Sequence, residues 1–169
     1  GSIVDKENDK IYWLISGTTI DAIAEYDFAT GEILPVLIDN PELITNSGFS
    51  TDTDWNTSNA TQWSISGGVL VGTAVSAYQN ILQNLGQAVN IGRTYTLKYT
   101  VSDYLSGNLL TGLTSRTGHY EHNNTVSANG TYTEEVIVSS TSPFTNASYS
   151  YLEFFPSSTA TLNVDNVSL

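Results

Sequence analysis

A set of aromatic and planar polar side chains has the most specific chemical potential in this chain. An aromatic ring can stack on the apolar face of a pyranose, while an amide or a carboxylate can hydrogen-bond neighbouring hydroxyls. The residues that could form such a ligand-binding constellation are Trp55, Tyr78, Gln79, Tyr104, Tyr120, Tyr149, Tyr151 and Glu153. The same residue types also fill the interiors of β-sandwiches, so the elements that hold them decide between the two roles.

A predicted strand near the C-terminus supplies the most specific part of this set. Successive side chains of a strand point to opposite faces of the sheet, so Leu152 and Phe154 are predicted to face the core. Tyr149, Tyr151 and Glu153 then lie on the solvent side, where tyrosine rings can stack on a ligand. Tyrosine also anchors protein interfaces, so a protein partner stays an alternative for this face.

Two tryptophans have different expected surroundings. Trp63 is followed by Ile65 in alternation, which predicts that both side chains belong to the core. Trp55 lies in a predicted loop with Asp52 and Asp54, and its position is compatible with core packing or with ligand contact.

The sequence contains two clusters of titratable residues, at 119–122 and at 134–135, and neither supports catalysis or a transition-metal site. His119, Glu121 and His122 are too close in sequence to converge tetrahedrally on one metal ion, and the chain has no further His and no Cys. Glu134 and Glu135 are neighbours on a predicted strand and point to opposite faces, whereas a glycosidase needs two carboxylates facing across a cleft. The sequence therefore predicts a protein without enzymatic activity.

Short strands separated by turn signals run through most of the chain. From residue 42 onward they are predicted at 43–45, 62–66, 69–73, 78–82, 94–104, 108–115, 131–139, 148–155 and 161–169. No segment of ten or more residues has helical periodicity. In the fifth of these strands the odd positions form one apolar face, which comprises Tyr95, Leu97, Tyr99 and Val101. The pattern predicts an all-β sandwich or barrel.

The first 40 residues differ from the rest. Residues 3–40 contain eight acidic and two basic residues, a net charge of −6. Three predicted strands at 10–16, 21–28 and 33–38 are joined by tight turns, and the segment 21–31 resembles one blade of a β-propeller. We therefore predict an N-terminal β-meander over residues 1–40, in which Gly1-Ser2 is interpreted as a cloning scar, followed by a second domain over residues 41–169.

The charge balance excludes two classes of partner. The 169 residues include five basic and seventeen acidic ones, which gives a formal net charge of −12. Because binding to phosphate backbones and to anionic membranes depends on clustered Lys and Arg, neither nucleic acid nor membrane insertion is expected. No apolar run approaches the roughly 18 residues that a membrane span needs.

Spaced motifs in residues 41–169 resemble a known family. They are Asn46-Ser47-Gly48-Phe49, the two tryptophans within segments 52–55 and 63–68, Gly92-Arg93-Thr94-Tyr95-Thr96-Leu97, and Asp165-Asn166-Val167-Ser168-Leu169. In this order they resemble the carbohydrate-binding modules of the family 4/9/22 type, and they look most like the divergent copies in phage tail and virion proteins. The resemblance implies a jelly-roll β-sandwich of two antiparallel sheets.

The resemblance also implies one structural calcium ion. In the family, a Glu of a Gly-Phe-Glu motif and the Asp of the C-terminal Asp-Asn-Val motif supply carboxylate oxygens. Asp165 matches the second ligand, whereas Ser50 stands where the Glu is expected. Asp52 or Asp54 could replace the missing carboxylate, since calcium requires six to eight oxygen ligands.

The expected function is non-catalytic binding to a cell-surface or other polysaccharide. By the resemblance, the domain belongs to a larger phage virion or tail protein, contacts other virion subunits and lies at the virion surface or outside the cell. A second hypothesis is a structural or decoration domain that has lost sugar binding, and a third is an accessory module of a secreted glycoside hydrolase. An exposed groove with coplanar aromatic rings and free polar groups distinguishes the first from the second.

Overall fold

The structure is a computed structural model that describes residues 1–16, 21–39, 42–57, 61–86, 89, 94–114, 120–138 and 151–169. The strands of these residues are β1 (Ser2–Asp5), β2 (Lys10–Ser16), β3 (Asp21–Asp27), β4 (Ile33–Asp39), β5 (Trp55–Thr57), β6 (Trp63–Ser66), β7 (Val69–Val75), β8 (Ile81–Asn84), β9 (Thr94–Ser106), β10 (Leu109–Thr114), β11 (Tyr120–Val126), β12 (Gly130–Ile137), β13 (Tyr151–Phe155) and β14 (Ala160–Ser168). Within the described ranges no helix is long and apolar enough to cross a membrane.

The chain divides into two compact units, Gly1–Glu42 and Leu43–Leu169. The first unit is an antiparallel sheet in the order β1-β2-β3-β4. It has four strands where the sequence predicted three, because Ser2 to Asp5 pair with Trp13 to Lys10. Its turns follow from local side-chain bonding, as the Asp27 carboxylate accepts hydrogen bonds from the N–H groups of Ala29 and Thr30 at 2.8 and 3.2 Å.

The second unit is a jelly-roll sandwich of two five-stranded antiparallel sheets, as the sequence predicted. One sheet, called here the β9 sheet, has the order β12-β9-β14-β7-β6, and the other, the β13 sheet, has the order β11-β10-β13-β8-β5. The short strands β5 and β11 were not predicted. The predicted strand 43–45 is not a strand; instead the Gln83 side-chain amide pairs with the backbone of Thr45, accepting from its N–H at 3.0 Å and donating to its carbonyl.

Aromatic side chains join the two sheets in the core. Phe154 of β13 packs edge-on against Tyr99 of β9, with ring centroids 5.4 Å apart, and Trp55 packs between Phe154 and Phe49. The four predicted core positions of β9 point inward, and the prediction for Trp63 is confirmed because its ring is buried. The alternation rule thus positions these four β9 side chains correctly.

One polar network is buried between the sheets. Glu134 accepts hydrogen bonds from the Tyr99 hydroxyl at 2.5 Å and from the Thr111 hydroxyl at 2.8 Å. Glu134 is buried whereas Glu135 is exposed, which confirms that they point to opposite faces. Burial raises the pKa of Tyr99, and the hydrogen bond to Glu134 adds to this effect. Since both carboxylate oxygens of Glu134 are satisfied, the network serves the core.

Candidate functional site

Strand β13 is buried on both faces, which corrects a prediction. Leu152 and Phe154 belong to the core, as expected. Glu153 was predicted to face solvent but is 1% exposed, and Phe155, which alternation places on its side of the sheet, is 5% exposed. The strand is central in its sheet, between β10 and β8, so its outer side chains have neighbours on both sides. The side of the β13 sheet that bears Tyr151, Glu153 and Phe155 is called here the Glu153 face.

An exposed aromatic ring lies at this face. Tyr78 is 71% exposed, and its ring stacks on that of Phe155 with centroids 6.4 Å apart and planes 26° apart. The backbone of Tyr78 has φ +62°, which is unfavourable for a residue with a side chain. A hydrogen bond of 2.8 Å from its N–H to the carbonyl of Pro156 holds it there. Such strained positions are concentrated at functional sites.

A buried carboxylate lies beside the aromatic pair. Glu153 Oε2 accepts a hydrogen bond of 3.3 Å from the side-chain amide of Asn80, whereas Oε1 has no hydrogen-bond partner among the described residues. Burial raises the pKa of Glu153 to about 7, and the bond from Asn80 opposes this shift only in part. A buried polar atom without a partner costs free energy, so Oε1 is the atom most in need of a ligand's hydrogen bond.

The aromatic pair Tyr78–Phe155 lies next to the polar pair Asn80–Glu153 because of the residue spacing within two segments of the chain. Asn80 follows Tyr78 by two residues, and Phe155 follows Glu153 by two residues, so the same two segments supply both pairs. Gly112, the β10 neighbour of Glu153, adds no side chain of its own to this face. The arrangement combines a stacking platform with an amide and a carboxylate, which are the groups that bind sugar rings and their hydroxyls.

Trp55 and Tyr104, two other residues predicted to bind ligand, do not have their side chains on this face, whereas the ligand role of the Gln79 side chain stays a prediction. Trp55 is 6% exposed and lies in the core. The carbonyl of Gln79 accepts a hydrogen bond of 2.9 Å from the Trp63 indole, so this backbone supports the core. Tyr104 packs against the core and donates a hydrogen bond of 2.8 Å to the carbonyl of Gly107. The left-handed φ of its neighbour, Asp103, and a register shift between β9 and β14 change the alternation there.

The remaining predicted residues have varied positions. Tyr151 is half-buried on the Glu153 face, beside Thr114 and Asn84. Tyr149 lies outside the described residues, and Tyr120 begins β11, with a side chain that is outside the description. The prediction that these tyrosines bind ligand stays a prediction.

The expected calcium ligands, Asp165 and Asp52, lie on β14 and in the loop before β5. Asp165 accepts hydrogen bonds from the N–H and the side-chain amide of Asn166 at 2.7 and 3.2 Å. Asp52 is exposed in the loop before β5. Over the ranges that the structure describes, no three His, Cys, Asp or Glu residues form a metal-binding group. Calcium binding beside Asp165 stays a prediction.

Two residues of the site were missed in the sequence. Phe155 could have been found, since it follows Tyr151 and Glu153 with the same period of two. Asn80 has no comparable signal, because it precedes β8 and reaches Glu153 only through strand pairing distant in sequence.

No protein-family model and no curated protein matches this sequence. Solved structures do match. A cyclase from Fischerella sp. TAU, in complex with 4-(1H-indol-3-yl)butan-2-one, is 15% identical with a TM-score of 0.52, over 74% of this chain and 93% of that chain. A mutant of a family 29 carbohydrate-binding module is 12% identical with a TM-score of 0.52, over 76% of this chain and 88% of that one.

A third similar structure comprises the CBM22-1 and GH10 modules of Clostridium thermocellum endo-1,4-β-D-xylanase 10B, complexed with xylohexaose. It is 14% identical with a TM-score of 0.51, and the match covers 77% of this chain and 28% of that chain. At such identities these matches establish a shared fold. The sandwich is therefore of the type found in carbohydrate-binding modules, and the same fold occurs in a cyclase.

Proposed function

We propose that the second unit is a non-catalytic glycan-binding module whose ligand lies on the Glu153 face. The observation that supports this most directly is the exposed Tyr78 ring, stacked on Phe155 beside the Asn80–Glu153 pair. Such a combination suits a pyranose, because the ring stacks while the amide and carboxylate bind hydroxyls. The fold it shares with carbohydrate-binding modules, one of them complexed with xylohexaose, supports a polysaccharide ligand.

The absence of catalysis in this proposal follows from the carboxylates. Hydrolysis of a glycosidic bond normally requires two carboxyl groups about 5 to 10 Å apart. Among the described side chains of the Glu153 face, Glu153 is the single carboxylate. A face of this kind can hold a sugar without cleaving it.

The proposed setting is a larger phage virion or tail protein, at the virion surface or outside the cell. The supporting feature is the sequence resemblance of segments 52–55 and 63–68 to the divergent modules of such proteins. There, polysaccharide binding would attach the particle to a cell surface.

An assembly role is a second candidate for the first unit. A row of side chains crosses all four strands on one face of its sheet through paired residues, and it consists of Val4, Ile11, Tyr26 and Ile33. Val4 and Ile33 are exposed. An apolar row of this kind is typical of a surface that contacts another protein, such as a further virion subunit.

The glycan proposal is tested by removing the exposed ring. Tyr78→Ala should weaken binding to the polysaccharide that the unaltered chain retains best on a glycan array by about tenfold, the loss of one stacking contact. Leu105→Ala is the matched control, because Leu105 is equally exposed but lies at the end of β9. Affinity electrophoresis measures both. Equal losses for the two variants, or no binding of the unaltered chain to any glycan, would contradict the proposal.

A further inference from the structure

Among the residues that the structure describes, Glu153 has no counter-charge, and its Oε1 atom has no hydrogen-bond partner. The residue is 1% exposed, and a buried carboxylate of this kind is normally matched by a cation. Among the described residues, the basic side chains are Lys6 and Lys10 of the first unit and Lys98, which is exposed on the β9 sheet. None of them belongs to the Glu153 face.

The aromatic pair favours the same kind of ligand group. The face of an aromatic ring carries partial negative charge and attracts ammonium groups. The exposed ring of Tyr78, stacked on Phe155 at the same face, therefore adds a group that favours a cation. The formal net charge of −12 adds a long-range attraction for positively charged ligands.

We propose that the Glu153 face selects a glycan with free amino groups, such as a β-1,4-linked glucosamine polymer, whose ammonium group binds Glu153 Oε1. This inference rests on the proposed function and specifies its ligand. The sugar ring stacks on Tyr78, and the Glu153 side chain, whose Oε1 atom is inaccessible without ligand, turns toward the half-buried Asn80 and Leu82 to meet the amino substituent. A uronic acid or a sulfated sugar would instead bring a second negative charge to a buried carboxylate, which is unfavourable.

Three hexasaccharides with the same β-1,4-linked backbone test whether the amino group determines the affinity. They are the hexamers of glucosamine, of N-acetylglucosamine and of glucose, which differ at the carbon-2 substituent. Titration calorimetry of the full chain near pH 6.5, in about 0.15 M salt, measures the three affinities. We expect the glucosamine hexamer to bind at least tenfold more tightly than the other two, since a charge-assisted hydrogen bond replaces a neutral one.

Two variants test whether Glu153 causes the preference for glucosamine. Glu153→Gln keeps the side chain's shape and should reduce the preference to less than about twofold. Glu135→Gln removes one exposed carboxylate from β12 and should leave the preference unchanged. A preference that survives Glu153→Gln would assign it to the overall negative charge and overturn the inference.

The possible failures are distinguishable. Binding of the glucose hexamer that depends on Tyr78, with no preference for glucosamine, supports the proposed function and overturns the inference. No binding of any glycan contradicts both. The comparison of the three hexamers uses the unaltered chain, so the absence of a glucosamine preference overturns the inference even if Glu153→Gln fails to fold.

Discussion

Glu153 occupies a position that is unfavourable for the fold alone. Its side chain is buried, one oxygen has no partner in the described part of the chain, and burial raises its pKa to about 7. Proteins commonly tolerate such a group where it serves binding or chemistry. By contrast, Glu134 is buried with both oxygens bonded, so its position is explained by core structure.

The raised pKa of Glu153 makes a prediction about stability. Because the folded state binds this proton more tightly than the unfolded state, the group's contribution is fully present below about pH 4.5 and is lost as pH rises through about 7. Glu153→Gln should therefore gain roughly 2 to 3 kcal/mol of unfolding free energy relative to the unaltered chain between pH 4.5 and pH 8. Urea unfolding at both pH values measures this change.

Glu135→Gln is the control for that prediction, since Glu135 is an exposed glutamate of the same unit. If the free-energy difference between Glu153→Gln and the unaltered chain is the same at pH 4.5 and pH 8, Glu153 titrates as an ordinary exposed carboxyl. The description of its surroundings would then be wrong.

At the scale of strands, the sequence predicts which side chains share a face but not whether that face is covered. Alternation correctly separates Leu152 and Phe154 from Glu153. It does not reveal that Glu153 is buried, because its neighbours come from segments distant in sequence, such as Asn80. The left-handed backbone of Tyr78 is equally invisible, since it depends on the hydrogen bond to Pro156.

Two short segments also show that pairing between distant parts of the chain cannot be predicted from local sequence. The segment at β1 is only four residues long and is ordered by pairing with β2. Conversely, Thr45 lies in a segment with an apolar strand-like pattern, but the Gln83 side chain supplies the hydrogen bonds that another strand would give. Both outcomes depend on partners that local propensity does not specify.

The division into two units predicts the effect of truncation. Removal of residues 1–42 should leave the sandwich folded, because every residue of the buried core cluster lies between Ile44 and Val167. We expect cooperative thermal unfolding within a few degrees of the full chain, measured by circular dichroism. Loss of cooperative unfolding in the truncated chain would contradict the division.

A longer truncation is the matched control. Removal of residues 1–50 also deletes Phe49, whose ring is fully buried against Trp55, and Thr45, which pairs with Gln83. Deletion of a buried Phe costs about 3 kcal/mol or more, so this variant should melt at a clearly lower temperature.

For the whole molecule, the fold was more accessible from sequence than the ligand site. Widely spaced motifs predicted a jelly-roll sandwich in residues 41–169, and the two five-stranded sheets confirm it. The residues of the ligand site could not be predicted in this way, because that requires knowledge of which strands pair with each other. Of the eight residues predicted to bind ligand, Tyr78, Tyr151 and Glu153 are placed at the Glu153 face, while Trp55 and Tyr104 pack in or against the core.

The central claim is that the Glu153 face binds the glycan, and NMR titration tests it most directly. Backbone amide resonances of the full chain are followed while the best-binding hexasaccharide is added. We predict that the largest shifts occur at Tyr78, Asn80, Leu82, Gly112 and Phe155, and that the half-buried Thr100 and the exposed Thr131 of the β9 sheet change little. Largest shifts on the outer side of the β9 sheet, or in residues 1–42, would contradict the claim.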